Sequence, residues 1–166
     1  NDTKLRDIFQ IFDYNELAKI SEDWLDAKDE ICKWKEQFQS NDRALVIGSP
    51  YVRVNALSIN EYLELISKLD HFDNLKFIYK AHPGENIGDY SFKSNIENSG
   101  IFKLPLELLF AAKFPTVIFS FGSTSAFLSY NQADSKTFHI LPCKVFDQKI
   151  CTLLSSPPLN LNIRRV

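Results

Sequence analysis

The sequence predicts an α/β domain, a Rossmann-like parallel sheet with helices on both faces. Short, continuously apolar runs recur along the chain, and the run at residues 44–47 has the form of a strand buried on both faces. Segments with helical periodicity lie between these runs, and polar loops follow them. Ligands of such sheets usually bind at the carboxyl ends of the strands, so these loops are the first place to look for function.

Length and composition are those of one soluble globular domain. The chain has 166 residues, of which 45% are hydrophobic and 24% are charged. The net charge is −2, and the first 40 residues are acidic whereas the remainder is slightly basic. This weak basic balance suits an anionic small ligand and argues against a nucleic-acid partner. No apolar run approaches the roughly 18 residues of a membrane span.

No signal peptide opens the chain, so we expect a cytoplasmic protein, with peripheral association at the inner membrane as an open alternative. The chain begins with Asn1 rather than Met, and we expect it to be a piece of a longer protein. The cysteines Cys32, Cys143 and Cys151 are odd in number and lack metal-ligand spacing. They are predicted to be free thiols, and no metal site is predicted.

Residues 1–40 are predicted to be an amphipathic helical segment, with the helix itself at about 14–39. Asp13 and Glu16 resemble a capping box at its start. Apolar residues then recur at spacings of three and four along one helix face: Leu17, Ile20, Trp24, Ala27, Ile31, Trp34 and Phe38. This face either packs against the sheet of the same chain or forms an interdomain or homodimer contact.

Residues 41–166 are predicted to form the Rossmann-like domain. Ser58 and Glu61 make a capping box before a helix of about three turns. Pro105 suits the first position of a second helix, and a third is expected to begin at Ser123. The predicted strands cover residues 44–47, 75–79, 101–103, 116–121 and 137–141. A loop is expected over 81–100, and the end from 155 is expected to be irregular or to return across the domain.

The first candidate loop carries His82, which directly follows a predicted strand. Pro83 restricts His82 to extended backbone geometry and thereby fixes the direction of its side chain. Imidazole titrates near neutral pH, so His82 suits neutralising a phosphate or giving a proton to a departing oxygen. Glu85 has three open roles: orienting His82, capping the following segment, or facing water.

The second candidate loop consists of Gly122, Ser123, Thr124 and Ser125, at the start of a predicted helix. The first N–H groups of a helix are unpaired, and the helix dipole favours an anion there. Gly122 permits close approach of a ligand, and the three hydroxyls add donors. Ser123 alone would suit a simple N-cap, but three hydroxyls in a row after glycine predict an anion site.

In order and spacing, these loops resemble the motifs of bacterial sialyltransferases. The pattern consists of a Gly-x-Pro loop (Gly48-Ser49-Pro50), a lysine-bearing strand that leads into His82-Pro83-x-Glu85, and a strand that leads into Ser123-Thr124-Ser125. The nearest resemblance is to lipooligosaccharide sialyltransferases, with capsular polysialyltransferases as relatives. It covers residues 44–141.

This resemblance implies that the chain is the C-terminal, nucleotide-sugar-binding half of a GT-B glycosyltransferase. The implied donor is CMP-sialic acid, used without a metal or a cofactor, and the implied acceptor is a cell-surface glycan such as lipooligosaccharide or capsule polysaccharide. His82, beside Pro83, would contact the CMP phosphate and act as general acid. Ser123 and Thr124 would hold the phosphate.

Two positions depart from the family pattern. The loop comparable to the family's acidic-acidic-glycine motif reads Val54-Asn55-Ala56, which leaves the general base unassigned. Gly84 stands where many relatives carry a basic residue. We expect the base in a domain outside this chain, and the isolated chain to be inactive. Two alternatives remain open: a GT-B-like transferase that uses CDP-glycerol or another sugar nucleotide, and a non-catalytic binding or assembly module.

Overall fold

The computed structural model describes residues 25–72, 74–92, 95–98, 104–106, 109, 117–123, 136–156 and 162–166. Within them, six strands form an all-parallel sheet with helices packed on it, so the predicted α/β fold class is confirmed. The strands are β1 (Arg43–Ile47), β2 (Lys76–Lys80), β3 (Ile96–Asn98), β4 (Val117–Ser120), β5 (Lys136–Leu141) and β6 (Asn162–Arg165).

The strands lie in the order β3-β2-β1-β4-β5-β6, which is the order of a doubly wound Rossmann sheet. β1 is therefore central, with β2 on one side and β4 on the other. The register pairs Ile47 of β1 with Lys80 of β2 and with Ser120 of β4. Because these three residues end their strands side by side, the loops that follow begin at one edge of the sheet.

The helices with described bounds are α1 (Leu25–Gln37), α2 (Ile59–Ser67) and α3 (Gln148–Ser155). α2 begins at the predicted capping box. Ser58 Oγ accepts from the Glu61 backbone N–H at 3.3 Å, and Glu61 Oε2 accepts from the Ser58 backbone N–H at 2.7 Å. A 3-10 turn, Lys68–His71, follows α2 and leads to β2.

The two faces of β1 bury different helices, because successive side chains of a strand point to opposite faces. Ala44 and Val46 belong to the core cluster that contains the buried face of α2. Leu45 and Ile47 belong to the cluster that contains the buried face of α1. This two-sided burial explains why β1 is apolar without interruption.

The apolar stripe predicted for the first helix packs, in its described part, against the sheet of the same chain. Trp34 is fully buried and Phe38 is 4% exposed, and their ring centroids are 4.7 Å apart. Both pack with Leu45 and Ile78. The earlier part of the stripe and the predicted helix start lie outside the described residues, so a homodimer through residues 14–39 stays a prediction.

Three elements of the structure were not predicted. β3 lies inside the segment expected to be a loop, and α3 and β6 occupy a region where neither was predicted. β3 and β6 are the edge strands of the sheet and carry few buried apolar side chains, so no apolar run marks them. The strand expected at 101–103 lies outside the described residues, as does most of the chain at 105–112 and 124–135.

All three cysteines are free thiols, as predicted, with Cys32 and Cys143 exposed and Cys151 buried. The described residues contain no group of three or more His, Cys, Asp or Glu side chains placed to hold a metal ion. Among the described helices, none combines the length and the apolar character needed to cross a membrane.

His139 lies in β5, in register with Ser120 of β4, and is 1% exposed. Burial lowers the pKa of His139 from 6.5 to about 4, because the imidazolium form loses its hydration in the interior. Between these two pKa values the unfolded chain binds more protons than the folded chain at this residue. The contribution of His139 therefore lowers stability as the pH falls through this range.

We predict that His139 alone reduces the free energy of unfolding by about 2 kcal/mol between pH 7 and pH 5. Urea unfolding of the chain and of His139→Gln at both pH values measures this loss, because the variant lacks the titrating ring. The variant should lose less stability on acidification, by about this amount. Equal losses in the two proteins would show that His139 is not buried in its neutral form.

Candidate functional site

Three loops meet at the carboxyl edge of the sheet, after β2, β1 and β4. From β1 the strand order runs outward to β2 and β3 on one side of β1, and β4, β5 and β6 follow on its other side. The direction in which strands are added therefore reverses between β1 and β4. Open α/β sheets bind ligands at such a switch point. His82 follows β2 and Ser123 follows β4, so both predicted loops lie at this edge, on strands about 10 Å apart.

Gly48 follows β1 and lets the β1 and β2 loops approach each other closely. Its backbone N–H donates to the Lys80 carbonyl at 3.0 Å. A Cβ at position 48 would overlap the Glu85 carboxylate and the Tyr79 hydroxyl. Position 48 therefore requires glycine, because side chains of β2 and its loop pack directly on the backbone there.

A buried relay of hydroxyl groups connects the β1 loop to the β2 loop. The Ser49 backbone N–H donates to the Tyr62 hydroxyl at 2.9 Å, and the Tyr62 and Tyr79 hydroxyl oxygens are 2.8 Å apart. Tyr79 donates to Glu85 Oε1 at 2.6 Å, so Tyr62 must donate to Tyr79. Burial raises the pKa of both tyrosines, which therefore keep their protons. The relay is directed towards the Glu85 carboxylate.

Glu85 ends this relay and holds the turn that carries His82. Its Oε2 accepts from the His82 backbone N–H at 2.6 Å, and its Oε1 also accepts from the Tyr90 hydroxyl at 3.3 Å. The Glu85 backbone N–H donates to the His82 carbonyl at 2.9 Å and closes the turn. Burial raises the pKa of the Glu85 carboxyl, although the hydrogen bonds from Tyr79 and His82 act in the opposite direction. Of the three predicted roles, Glu85 has that of orienting His82, and it does so through the His82 backbone.

The His82 ring is half-buried and is fixed by its own turn. The Gly84 backbone N–H donates to His82 Nδ1 at 3.0 Å. A nitrogen that accepts a hydrogen bond carries no proton, so the neutral ring has its proton on Nε2. His82 can then donate to a ligand only through Nε2. Pro83, which lies between His82 and Gly84, is exposed.

The β4 loop packs tightly beneath the β1 loop. The Phe121 carbonyl accepts from Ser49 Oγ at 2.8 Å and also from the Tyr51 hydroxyl. Gly122 has a φ of +86°, and a Cβ there would overlap the Tyr51 hydroxyl and press on the Phe146 ring. Both the backbone angle and the close packing require glycine at this position.

Ser123 is buried, and its backbone N–H donates to Ser120 Oγ at 3.1 Å. The anion site predicted at Gly122, Ser123, Thr124 and Ser125 depends mainly on the two residues that follow Ser123. Thr124 and Ser125 lie outside the described residues, so this anion site stays a prediction. Its described part is a glycine turn followed by a serine whose backbone N–H is already paired.

A cavity of about 260 Å³ opens beside the His82 turn. Its lining comes from the β1 and β2 loops and the start of α2: Val52, Arg53, Ile59, Gly84, Glu85, Asn86 and Tyr90. Arg53 Nη1 lies 3.0 Å from the point where a Cβ on Gly84 would sit, and His82 Nδ1 lies 3.2 Å from the same point. The guanidinium and the imidazole therefore flank Gly84, whose lack of a side chain leaves room for both.

Two parts of this site were not predicted from the sequence. Arg53 lies in a loop without a motif, and no sequence signal distinguishes it from other exposed cations. Tyr62 and Tyr79 carry a weak signal, because each occupies an apolar position of its element and a buried tyrosine hydroxyl needs a partner. Which partner each one finds depends on how α2 packs against β2.

No protein-family model, no curated protein and no solved structure matches this chain. The resemblance to bacterial sialyltransferases therefore rests on the motifs alone and remains a prediction, and so does the relation to the GT-B fold.

We predict that Gly48→Ala destabilises the fold by about 1–3 kcal/mol, because the added methyl group displaces Glu85 and Tyr79 from the relay. Gly88→Ala is the matched control, since the nearest atom to a Cβ there is Asn86 Oδ1 at 3.5 Å, an ordinary contact. Thermal unfolding compares the two variants with the parent chain. Only Gly48→Ala should lower the midpoint by several degrees, and unchanged midpoints in both would contradict the close packing at Gly48.

Proposed function

We propose that this chain is the nucleotide-binding half of a bacterial glycosyltransferase, which transfers sialic acid from CMP-sialic acid to a cell-surface glycan. The strand order is the observation that carries the proposal. It brings the loops of Gly48, His82 and Gly122 to the switch-point edge of a doubly wound sheet, where nucleotides bind in this class of fold. The sialic acid donor is taken from the motif resemblance.

In this proposal His82 is the catalytic residue and acts on the donor phosphate. Its Nδ1 is occupied by the Gly84 N–H, so the ring donates through Nε2. The Nε2–H group is already held in place, so it needs no reorganisation when negative charge develops on the departing CMP phosphate. Such a preorganised hydrogen-bond donor favours electrostatic stabilisation of that charge. General acid catalysis would need a second proton on Nδ1 and would break the Gly84 bond. The geometry thus favours a hydrogen-bond donor over a general acid.

The β4 loop supplies the second half of the proposed nucleotide site. Gly122 turns the chain sharply after β4. In this proposal the Ser123 hydroxyl, together with the N–H and hydroxyl groups of Thr124 and Ser125, holds the phosphate. β1 separates this loop from the His82 loop, so the strands that carry them are about 10 Å apart. In this proposal, side chains of the two loops reach the single phosphate of CMP-sialic acid from either side of β1.

The proposal assigns no metal and no cofactor to the reaction. It leaves deprotonation of the acceptor hydroxyl to a residue outside this chain, because the loop at Val54-Asn55-Ala56 offers no carboxylate. A cytoplasmic location, with peripheral association at the inner membrane, belongs to the same proposal.

We predict that the chain binds CMP more tightly than CDP or UDP, and that His82→Ala weakens CMP binding about tenfold, because one charge-assisted hydrogen bond is lost. His71→Ala is the matched control, since His71 is exposed and lies before β2, at the opposite end of that strand. Isothermal titration calorimetry of the three proteins, with EDTA present, measures these affinities.

Each of the other results has a definite meaning. Tighter binding of CDP or UDP would indicate a transferase that uses another donor. No binding by a folded chain would favour a non-catalytic binding or assembly module. Equal CMP affinities for His82→Ala and His71→Ala would remove His82 from the site.

A further inference from the structure

We infer that the cavity beside the His82 turn is a subsite for a carboxylated monosaccharide, with Arg53 as the residue that binds the carboxylate. The inference rests on the proposed function, because that function places a sugar next to the nucleotide phosphate. It adds an anion-binding residue that no sequence motif indicates.

Arg53 is positioned to bind an anion. It is exposed, lines the cavity, and forms no hydrogen bond or ion pair within the described part of the chain. Arg43 and Arg165, by contrast, are engaged: Arg43 lies 3.9 Å from a Glu97 carboxylate oxygen, and Arg165 donates to Gln148 Oε1 at 2.7 Å. A guanidinium carries a permanent charge, and its planar fork pairs with a carboxylate through two parallel N–H bonds.

The other side of the cavity offers hydrogen-bond partners for hydroxyl groups. Glu85 Oε2 accepts one bond, from the His82 N–H at 2.6 Å, and a carboxylate oxygen has two lone pairs. A sugar hydroxyl can donate to the second. Asn86 and Tyr90 add an amide and a phenol to the same wall. One cation facing several neutral or accepting groups fits a ligand with a single acidic group and several hydroxyls.

The size of the cavity fits one sugar ring. Its volume of about 260 Å³ lies near the lower end of the range for small-ligand sites. Val52 and Ile59 supply apolar contacts for ring carbons. A single carboxylate also suits this wall better than a phosphate dianion, because the Glu85 carboxylate repels the second negative charge.

The cavity adjoins the proposed reaction centre through Gly84. Arg53 Nη1 and His82 Nδ1 lie 3.0 Å and 3.2 Å from the point where a Gly84 Cβ would sit. A carboxylate bound to Arg53 therefore lies beside the turn that holds His82. Arg53 takes part in no bond-breaking step, and it positions the sugar with respect to the phosphate.

The test is an NMR titration of the ¹⁵N-labelled chain with N-acetylneuraminic acid, and with its methyl ester, which lacks the negative charge. We expect the acid to shift the amide signals of Gly84, Glu85 and Asn86, and the ester to bind at least tenfold more weakly. Arg53→Gln should bind the acid at least tenfold more weakly than the parent chain, with Arg53→Lys in between. Arg164→Gln, on the distant edge strand β6, is the matched control and should bind as the parent does.

Equal binding of acid and ester, or full binding by Arg53→Gln, would overturn the inference. Inorganic phosphate that binds at these amides as tightly as the acid would also overturn it and indicate a general anion site. A parallel titration with CMP separates the two proposals. If CMP binds and the sugar acid does not, the subsite is wrong and the nucleotide site stands. If only the sugar acid binds, the nucleotide site is wrong.

Discussion

The half-buried Glu85 carboxylate is the group on which the candidate site at the edge of the sheet depends. A carboxylate taken out of water needs hydrogen-bond donors, or its burial costs several kcal/mol. The Tyr79 hydroxyl and the His82 backbone N–H supply them, each at 2.6 Å. Tyr79 comes from β2, and its own partner Tyr62 comes from α2, so the relay behind Glu85 is complete only when the helix is packed on the sheet. The conformation of the His82 turn is thereby tied to the packing of the whole domain.

The edge of the sheet is open on one side of β1 and closed on the other. Towards β4, hydroxyls of the β1 loop reach the Phe121 carbonyl, and Gly122 lies tightly under Tyr51 and the Phe146 ring. Towards β2, the turn around Gly84 carries no side chain, and a cavity forms between Arg53 and Glu85. The closed side provides a rigid floor, and the open side provides room for a ligand. The proposed function uses both, with the nucleotide on the floor and its sugar in the cavity.

Much of the fold was predictable because the signals are local. Continuous apolar runs mark β1 and β4, since both faces of these central strands are buried, and the Ser58–Glu61 capping box marks the start of α2. The edge strands β3 and β6 carry no such run and were missed, because one neighbouring strand is enough to define them through backbone hydrogen bonds. At the site, the position of His82 after a strand was predictable, whereas its ring orientation was not, because the Gly84 bond arises from the three-dimensional shape of the turn.

The sequence by itself determined the fold class, the central strands, the start of α2 and the loops that carry His82 and Ser123, because each depends on residues close together in the chain. Only the tertiary structure decided the strand order, the relay from Ser49 through two tyrosines to Glu85, and the approach of Arg53 to Gly84. These features join segments that are distant in sequence. Their geometry follows from how helices and strands pack, which the local patterns of apolar and polar residues do not contain.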